Sequence, residues 1–215
     1  GCSFREAVRL HNEPVVKSSH CGVPDKLADT IEFAPTLRGV LYLDSRLGEI
    51  VLRSPALKIA GPGRTNVAID GGGAMSVLVL DRDLPPVLTL SGLTIRNGKG
   101  RPPAGSWDAQ GGGLRMEVGG DVPAQPTTVT ISDCTFSSNV ADWTTGIGRG
   151  AAVITHGTLV VRRTLFVANL SAWGAVSHFG DAQIEDSEFR ENWSYHQVAA
   201  LELDGQGQWF VERCL

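Results

Sequence analysis

Apolar, small and polar positions recur in one pattern through the second half of the chain. An aliphatic residue is followed by a small residue after three positions, by phenylalanine after five and by asparagine after eight. The pattern occupies residues 131–139, 161–169 and 184–192, and a fourth copy begins at Val211 and stops at Leu215. The asparagines lie 30 and then 23 residues apart. A repeat of about 20–50 residues indicates stacked units that share one core.

A second repeated element supports the same unit length. Small residues lead into an aliphatic one at Val153, Val176 and Leu201, which are 23 and 25 residues apart. From residue 39 onward the chain is a series of short apolar runs broken by Gly, Pro, Asn and Asp, which is typical of strands and turns. The two registers together predict an all-β fold, a parallel β-helix in which equivalent residues of successive coils lie above one another.

Stacking assigns a position to each column of the repeat. We expect the phenylalanines to point inward as a core stack, and the asparagines to lie at a corner between strands. There an amide side chain can bond backbone groups and the asparagine of the next coil, and asparagine also tolerates the left-handed backbone of such bends. The predicted core stack is Phe136, Phe166 and Phe189, and the predicted corner is Asn139, Asn169 and Asn192.

The N-terminal segment predicts a cap for the stack. Ser3 and Glu6 are spaced as a capping box, so a short helix is expected that ends near residue 14. A stack of coils has an open apolar end with unpaired strand edges, which natural proteins cover. We therefore predict two parts, a cap at 1–38 with the helix and parallel β-helix coils at 39–215, apparently truncated at the C-terminal end.

Four cysteines are too few for a disulfide scaffold in 215 residues. Cys2 and Cys21 can close one N-terminal loop, and the sequence leaves open whether they do. Cys134 and Cys214 hold the same repeat position three coils apart, roughly 14 Å at strand spacing. A disulfide needs Cα atoms within about 7 Å, so we expect these two to remain unpaired.

The composition of the chain argues against nucleic acid and the membrane interior as partners. With 19 basic and 23 acidic residues the net charge is −4, so there is no basic footprint for nucleic acid. No apolar run approaches the roughly 18 residues of a membrane span. The histidines lack metal-ligand spacing, and we expect His156, His178 and His196 to be surface residues. The sequence predicts no metal site, no cofactor, no nucleic-acid partner and no membrane span.

The repeat resembles a known group of proteins. The Phe-x-x-Asn tetrads, alternating with small residues before an aliphatic one such as Gly174-Ala175-Val176, resemble the repeats of the polymorphic outer membrane proteins, which are bacterial surface β-helices. The N-terminal Cys2-Ser3-Phe4-Arg5-Glu6-Ala7 is similar to the Cys-Ser-Leu-Arg-Glu-Ala box of secreted bacterial β-helix proteins, with Phe4 in place of Leu. The resemblance implies a secreted or surface-displayed, right-handed, pectin-lyase-like solenoid, in some members an adhesin, and no agreed reaction.

Four side chains are candidates for contact with carbohydrate. Trp143, Trp173 and His196 each stand four residues after a tetrad asparagine, and Trp193 stands one after. Coils in register would align these rings along one edge, where tryptophan stacks well on sugar faces. The alternative is that the rings pack inside the loops that follow each asparagine.

The enzyme hypothesis depends on carboxylates. Glu185, Asp186, Glu188 and Glu191 could form a catalytic cluster, but Asp133, Arg163, Asp186 and Arg213 alternate in sign along one column and predict salt bridges instead. We therefore expect a non-enzymatic extracellular or cell-surface protein, an adhesin or structural scaffold. Its partners would be glycans or other surface or assembly subunits, bound through loops or the open C-terminal coil. The alternative is a polysaccharide-active lyase or glycosidase.

Overall fold

The computed structural model describes residues 2–13, 21, 29–81, 87–102, 109–116, 127–142, 147–196 and 198–215. These residues form one α-helix, one short 3-10 helix and a succession of strands. The helix α1 spans Phe4–Asn12 and the 3-10 turn spans Ser45–Leu47. The strands are β1 Asp29–Glu32, β2 Gly39–Tyr42, β3 Ile50–Leu52, β4 Ala56–Ala60, β5 Val67–Asp70, β6 Leu78–Leu80, β7 Val87–Ser91, β8 Thr94–Arg96, β9 Lys99–Gly100, β10 Leu114–Met116, β11 Thr128–Ser132, β12 Thr135–Ser137, β13 Val140–Ala141, β14 Val153–Arg162, β15 Leu165–Val167, β16 Leu170–Ser171, β17 Val176–Glu185, β18 Glu188–Arg190, β19 Trp193–Ser194, β20 Leu201–Asp204 and β21 Trp209–Glu212.

The fold is mostly parallel β-sheet with one short helix. The strands belong to three sheets, and every pairing between named strands is parallel. The first sheet has eleven strands in which β14 and β17 join two halves, the second has the order β18-β15-β12-β8-β5-β2, and the third has the order β19-β16-β13-β9. The chain passes repeatedly from the first sheet to the second, and from β9 onward it also enters the third sheet before it returns to the first. Each passage, here called a repeat, places its strands beside their equivalents in the preceding repeat. The prediction that the chain forms mainly parallel β-sheet is thus confirmed.

The phenylalanine column belongs to strands of the second sheet, and its side chains point into the hydrophobic core. Phe136 pairs in register with Phe166, and Phe166 pairs with Phe189. The ring centroids are 5.5 Å and 4.8 Å apart and the planes are nearly parallel. Phe136 and Phe166 are fully buried, and Ile95 occupies the same column one repeat earlier. Because each phenylalanine ring stacks on the equivalent ring of the next repeat, the same side chain sets the packing distance between successive repeats.

The asparagine column forms a continuous hydrogen-bonded ladder. The Asn139 backbone N–H and its side-chain amide both donate to Asn169 Oδ1, at 3.1 and 3.0 Å. Asn169 makes the same pair of bonds to Asn192 Oδ1, at 3.0 and 2.9 Å. Each amide also donates to a carbonyl of the preceding repeat, such as Phe136 O for Asn169. Asn139 and Asn169 are buried, so the ladder satisfies polar groups that the bend removes from water.

The left-handed residue of this corner is not the asparagine. Positive φ values of about 50° occur one position earlier, at Ser138, Ala168 and Glu191. Our expectation that asparagine is used for its left-handed tolerance was therefore wrong, since its side-chain bonds are what this site requires. In the earlier repeat the same two positions are Asn97, with φ 50°, and Gly98, whose N–H donates to Asn139 Oδ1.

A second left-handed corner joins the first sheet to the second. Asp133, Arg163, Asp186 and Arg213 all have φ near 50°, and Gly92 holds the equivalent position earlier. The predicted alternation of charge gives ion pairs, because Arg163 reaches Asp133 through two bonds of 2.7 and 2.8 Å. These pairs are exposed, so solvent screens them and each contributes little to stability.

The helix covers the end of the sheets at which the chain begins. The predicted capping box between Ser3 and Glu6 is present, and Val8 and Leu10 are buried. Asn12 bonds both backbone groups at the edge of β3, donating to Val51 O at 2.7 Å and accepting from Arg53 N at 2.8 Å. Strand β1 precedes the predicted boundary at residue 38 and already pairs with β4, so the sheets begin within the predicted cap.

The cysteines divide into two kinds. Cys2 and Cys21 form a disulfide, with Cα atoms 4.8 Å apart. Cys134 and Cys214 are free, as predicted. Burial raises the pKa of the Cys134 thiol to about 12, so the group stays protonated and acts as a small apolar side chain.

The asparagine ladder leads to a stability prediction. We expect Asn169→Ala to destabilise the protein by about 2–4 kcal/mol, because several buried donors and acceptors lose their partners at once. Asn192→Ala is the graded comparison, since Asn192 is only half-buried and its removal should cost less. Urea unfolding followed by circular dichroism measures both, and equal stability of Asn169→Ala and the native chain would contradict the ladder's role.

The corner geometry leads to a second, opposite prediction. Ala168 is exposed and left-handed, so Ala168→Gly should stabilise the fold by about 0.5–1 kcal/mol through relief of backbone strain. The control is Ala56→Gly in β4, an exposed alanine in ordinary strand conformation, where glycine should destabilise by a similar amount. Thermal unfolding of the two variants should shift the midpoint in opposite directions, and a loss of stability in Ala168→Gly would count against the assignment.

Candidate functional site

Aromatic rings gather at the outer edge of the third sheet, in the last repeats. This aromatic edge consists of Trp173, Trp193, Tyr195 and His196. Strand β19 places Trp193 beside Leu170 of β16, and the Trp193 N–H donates to Asn169 O at 2.8 Å. The backbone N–H groups of Tyr195 and His196 then continue the ladder to Ser171 O and Ala172 O, each at 3.2 Å. The asparagine corner thus determines where the rings stand.

The predicted alignment of rings is present for one pair. Trp173 and His196 stack with their centroids 5.0 Å apart and an interplanar angle of 29°. The Arg149 guanidinium lies 5.8 Å from the Trp173 ring and forms a 3.0 Å ion pair with Glu202. Trp173 is half-buried, and its buried Nε1–H has no acceptor in the part of the chain that the structure describes.

Trp193 and Tyr195 form the exposed part of the aromatic edge. Their rings meet edge to face, 4.9 Å apart, and they are 58% and 51% exposed. Two large rings held in one geometry and open to solvent are suited to a flat apolar partner such as a sugar ring. The structure thus shows two ring pairs, Trp173 with His196 and Trp193 with Tyr195, which the short segment 193–196 connects. Trp143 lies outside the described residues.

The histidine interpretation needs a correction. His178 is fully buried and lies on the same face of β17 as the core residue Val176. Its burial is tolerated because both of its ring nitrogens form hydrogen bonds. Nδ1 lies 3.0 Å from Thr155 Oγ1 and Nε2 lies 2.9 Å from Asp181 O. His156 is half-buried and stacks on Phe179, so of these three histidines only His196 is exposed as expected. Burial lowers the pKa of both His178 and His156 and favours their neutral rings.

Three of the proposed catalytic carboxylates are held in ion pairs, and Arg213 links two of them because it also lies 3.8 Å from Glu185. Glu185 contacts Arg162 at 3.4 Å, Asp186 pairs with Arg213, and Glu188 pairs with Arg190 at 2.7 Å. The side-chain bond from Arg213 holds the pKa of Asp186 below its usual range, which keeps that group ionised. Three of the four candidate carboxylates thus belong to a lattice of structural ion pairs, and no ion pair of the fourth, Glu191, is found among the described residues.

A cleft of about 670 Å³ lies outside the second sheet and contains a different carboxylate. It is lined by Tyr42, Asp70, Arg96 and Lys99 among others. Burial raises the pKa of Asp70, but donors from Gly72, Asn97 and Arg96 together outweigh it and hold the pKa below its usual value. Lys99 in turn pairs with Asp142 at 2.9 Å. The Asp70 carboxylate is therefore ionised and fully bonded, which makes it a weak base.

Sequence reasoning missed several residues of these sites. Tyr195 had a signal, since it follows Trp193 at the spacing that returns a strand to the same face. Arg149 and Glu202 had none, because they belong to different repeats and only the three-dimensional register brings them together. Asp70, Arg96 and Tyr42 lie in repeats without the Phe-x-x-Asn tetrad, so the pattern did not align them.

Membrane-spanning helices, metal sites and similar proteins were each considered as further indications of function. No helix within the described residues is long and apolar enough to cross a membrane. The same residues contain no group of three His, Cys, Asp or Glu side chains placed to hold a metal ion. Comparison of the chain with protein-family models, with curated proteins and with solved structures finds no match.

The buried histidines predict a dependence of stability on pH. Because the folded state holds His178 and His156 neutral, the unfolded state binds protons first as the pH falls below about 6.5. The free energy of unfolding should therefore be at its full value above pH 6.5 and decline below it. The decline should be up to about 1.4 kcal/mol per pH unit for each group.

Urea unfolding at a series of pH values from 7.5 downwards measures this slope. His178→Gln should flatten it, whatever its effect on stability at pH 7.5, whereas His196→Gln should leave it unchanged because His196 is exposed. A native slope that persists in full in His178→Gln would show that other groups control acid stability.

Proposed function

We propose that this chain is a right-handed parallel β-helix of a secreted or surface-displayed bacterial protein. It would act without catalysis, as an adhesin or structural scaffold that contacts carbohydrate through its aromatic edge. The repeated passage of the chain through parallel sheets, three of them from β9 onward, supports the β-helix. The resemblance of its repeats and N-terminal box to the polymorphic outer membrane proteins and secreted β-helix proteins supports the handedness and the location.

The observation that carries the binding role is the exposed ring pair Trp193 and Tyr195. Soluble proteins bury most large rings, yet these two are more than half exposed and are fixed by backbone bonds to the preceding repeat. A fixed ring loses little conformational entropy on binding. Arg149 and Glu202, beside the stacked Trp173, add charged hydrogen-bonding groups at the border of the rings.

Two further observations support an extracellular scaffold. The disulfide between Cys2 and Cys21 fits an oxidising compartment, since cytosolic thiols are normally kept reduced. The repeats are also joined by ladders in which each side chain contacts its neighbour above and below, such as Asn139 with Asn169. A frame of this kind holds loops and edges at fixed spacing, which is what display requires.

A polysaccharide-active enzyme is the second candidate, and one observation favours it. The cleft at Asp70 brings a carboxylate, Arg96 and Lys99 together on an outer face. Against it, Asp70 accepts three hydrogen bonds and its low pKa leaves little basicity for proton abstraction.

Glycan binding tests the proposal. On a broad glycan array the native chain should bind a defined set of glycans, and Trp193→Ala should weaken that binding about tenfold, equivalent to about 1.4 kcal/mol of ring stacking. The matched control is Trp209→Ala, since Trp209 in β21 is 48% exposed but lies outside the aromatic edge. Binding should be unaffected in that variant.

Three outcomes would contradict the proposal. The first is a native chain that binds no glycan on the array, and the second is equal loss of binding in the Trp193 and Trp209 variants. The third is release of unsaturated sugars from pectate or alginate in the presence of calcium, lost in Asp70→Asn, which would favour the enzyme.

A further inference from the structure

Asn97 and Gly98 form the chemically most labile dipeptide of this chain. Asparagine precedes glycine only here, whereas the other five asparagines precede Glu, Val, Leu or Trp. An asparagine loses ammonia when the backbone nitrogen of the next residue attacks its side-chain amide carbon. Glycine permits this attack most readily, because it has no side chain and the widest choice of backbone conformations. The sequence therefore contains one dipeptide that favours spontaneous deamidation.

The fold requires both residues of this dipeptide. Gly98 is buried between repeats, and a Cβ at this position would overlap Gly112 O and lie 3.0 Å from Val77 Cγ2, so no larger residue fits. Asn97 has φ 50°, and its Nδ2 donates to Asp70 Oδ2 at 2.8 Å. Asparagine tolerates the left-handed backbone better than most residues. The labile dipeptide is thus a consequence of the geometry of the corner.

The following repeat holds the nitrogen that would attack. The Gly98 N–H donates to Asn139 Oδ1 at 2.9 Å, and both residues are buried. The reaction requires that this nitrogen loses its proton and turns its lone pair towards the Asn97 side chain. While the bond to Asn139 is intact, a buried oxygen retains the proton, and burial keeps solvent base away from it. The asparagine ladder therefore blocks the nucleophile.

The preceding repeat holds the group that would be attacked. The Asn97 amide donates to the carboxylate of Asp70, which also accepts from Arg96 Nε at 2.8 Å and from Gly72 N at 2.9 Å. The amide carbon must turn towards Gly98 before a ring can close, so the bond to Asp70 must break first. Two hydrogen bonds, one to each neighbouring repeat, thus separate the reacting atoms.

We propose that Asn97 is a deamidation site that the folded corner keeps closed and that reacts when the corner opens. In the open corner the Gly98 nitrogen bonds to the Asn97 side-chain carbon and gives its proton to solvent base. The bond from that carbon to the amide nitrogen breaks, and ammonia leaves with a proton from water. Water then opens the cyclic imide at either carbonyl, which leaves aspartate or isoaspartate at position 97. The net reaction consumes one water and releases one ammonia.

Modification would prevent the corner from closing again. A carboxylate would replace the amide that donates to Asp70, so two negative charges would meet where a hydrogen bond now lies. Isoaspartate would also lengthen the backbone between two bonds that join three repeats, from Asn97 N to Ser137 O at 3.2 Å and from Gly73 N to Asn97 O at 2.7 Å. The site would therefore record each opening of the corner irreversibly. This inference concerns the frame and does not depend on the function proposed above.

Peptide mapping by mass spectrometry tests the site. The chain is incubated at mildly alkaline pH, folded in buffer and unfolded in guanidinium chloride. In the unfolded chain Asn97 should deamidate faster than any other asparagine. In the folded chain its rate should fall at least about tenfold, because opening of the corner then limits the reaction. Equal rates at Asn97 in the two states, or no preference for Asn97 in the unfolded chain, would overturn the proposal.

Variants separate the two bonds from general stability. Asn139→Ala removes the acceptor of the Gly98 N–H, and Asp70→Ala removes that of the Asn97 amide. Each should raise the rate of Asn97 deamidation in the folded chain about tenfold. Asn169→Ala is the matched control, because it removes the next member of the same ladder and leaves both bonds in place. An equal rise in this control would show that global unfolding, not the corner, admits the reaction.

The native chain provides a measurement that needs no variant to fold. If the corner opens locally, deamidation of Asn97 in buffer is faster than the unfolded-state rate multiplied by the unfolded fraction, which urea unfolding gives. A rate equal to that product would overturn local opening. Circular dichroism checks the folding of Asn139→Ala and Asp70→Ala, and either variant alone decides the comparison with Asn169→Ala.

The effect of the modification has a separate test. Asn97→Asp adds the charge without the longer backbone, and aspartate tolerates the left-handed conformation as asparagine does. The variant should lower the midpoint of thermal unfolding by several degrees at neutral pH. The difference should shrink as the pH falls to about 4, where carboxyl groups take up protons. An unchanged midpoint at neutral pH would show that the modified corner can close.

Discussion

Vertical repetition of the same side chain is the constraint on which the rest of this structure depends. Each buried corner removes backbone N–H and C=O groups from water, and an asparagine of the next repeat satisfies them while it is itself satisfied by the one beyond. The phenylalanine column beside it holds the spacing of the repeats by ring stacking. A substitution in one repeat therefore affects two neighbours, and the stability of the ladder is a shared property.

In this arrangement the residues that hold the repeats together differ from those that we propose to bind a partner. The inward columns and the charged corner are occupied with contacts to their own equivalents, as Asp133 is with Arg163. The exposed rings that we propose as a binding surface lie where the repeat is irregular. The exposed rings Trp193 and Tyr195 follow the last asparagine corner, and the two earliest corners between the first and second sheets are longer than the two-residue corner of later repeats. The regular repeats hold these irregular segments in place.

Much of the core could be predicted from the sequence, because the repeat carries its own alignment. The columns of Phe166 and Asn169, the capping box at Ser3 and the unpaired Cys134 all follow from spacing and elementary chemistry. The burial of His178 could not be predicted, since it depends on bonds to Thr155 and Asp181 that only the register creates. The cleft at Asp70 was missed for a similar reason, because Asp70 and Tyr42 stand in early repeats that lack the tetrad.

The most direct test of the ladder is hydrogen exchange of three backbone amides, measured by NMR. The amides of Gly98, Asn139 and Asn169 each donate to a side-chain oxygen of the following repeat and to no strand neighbour's carbonyl. If the asparagine ladder supports the fold, these three amides should exchange as slowly as those of the buried strands, opening only when the protein unfolds. Exchange at the rate of an exposed loop amide such as that of Thr65 would show that the corner opens independently, and would contradict the account.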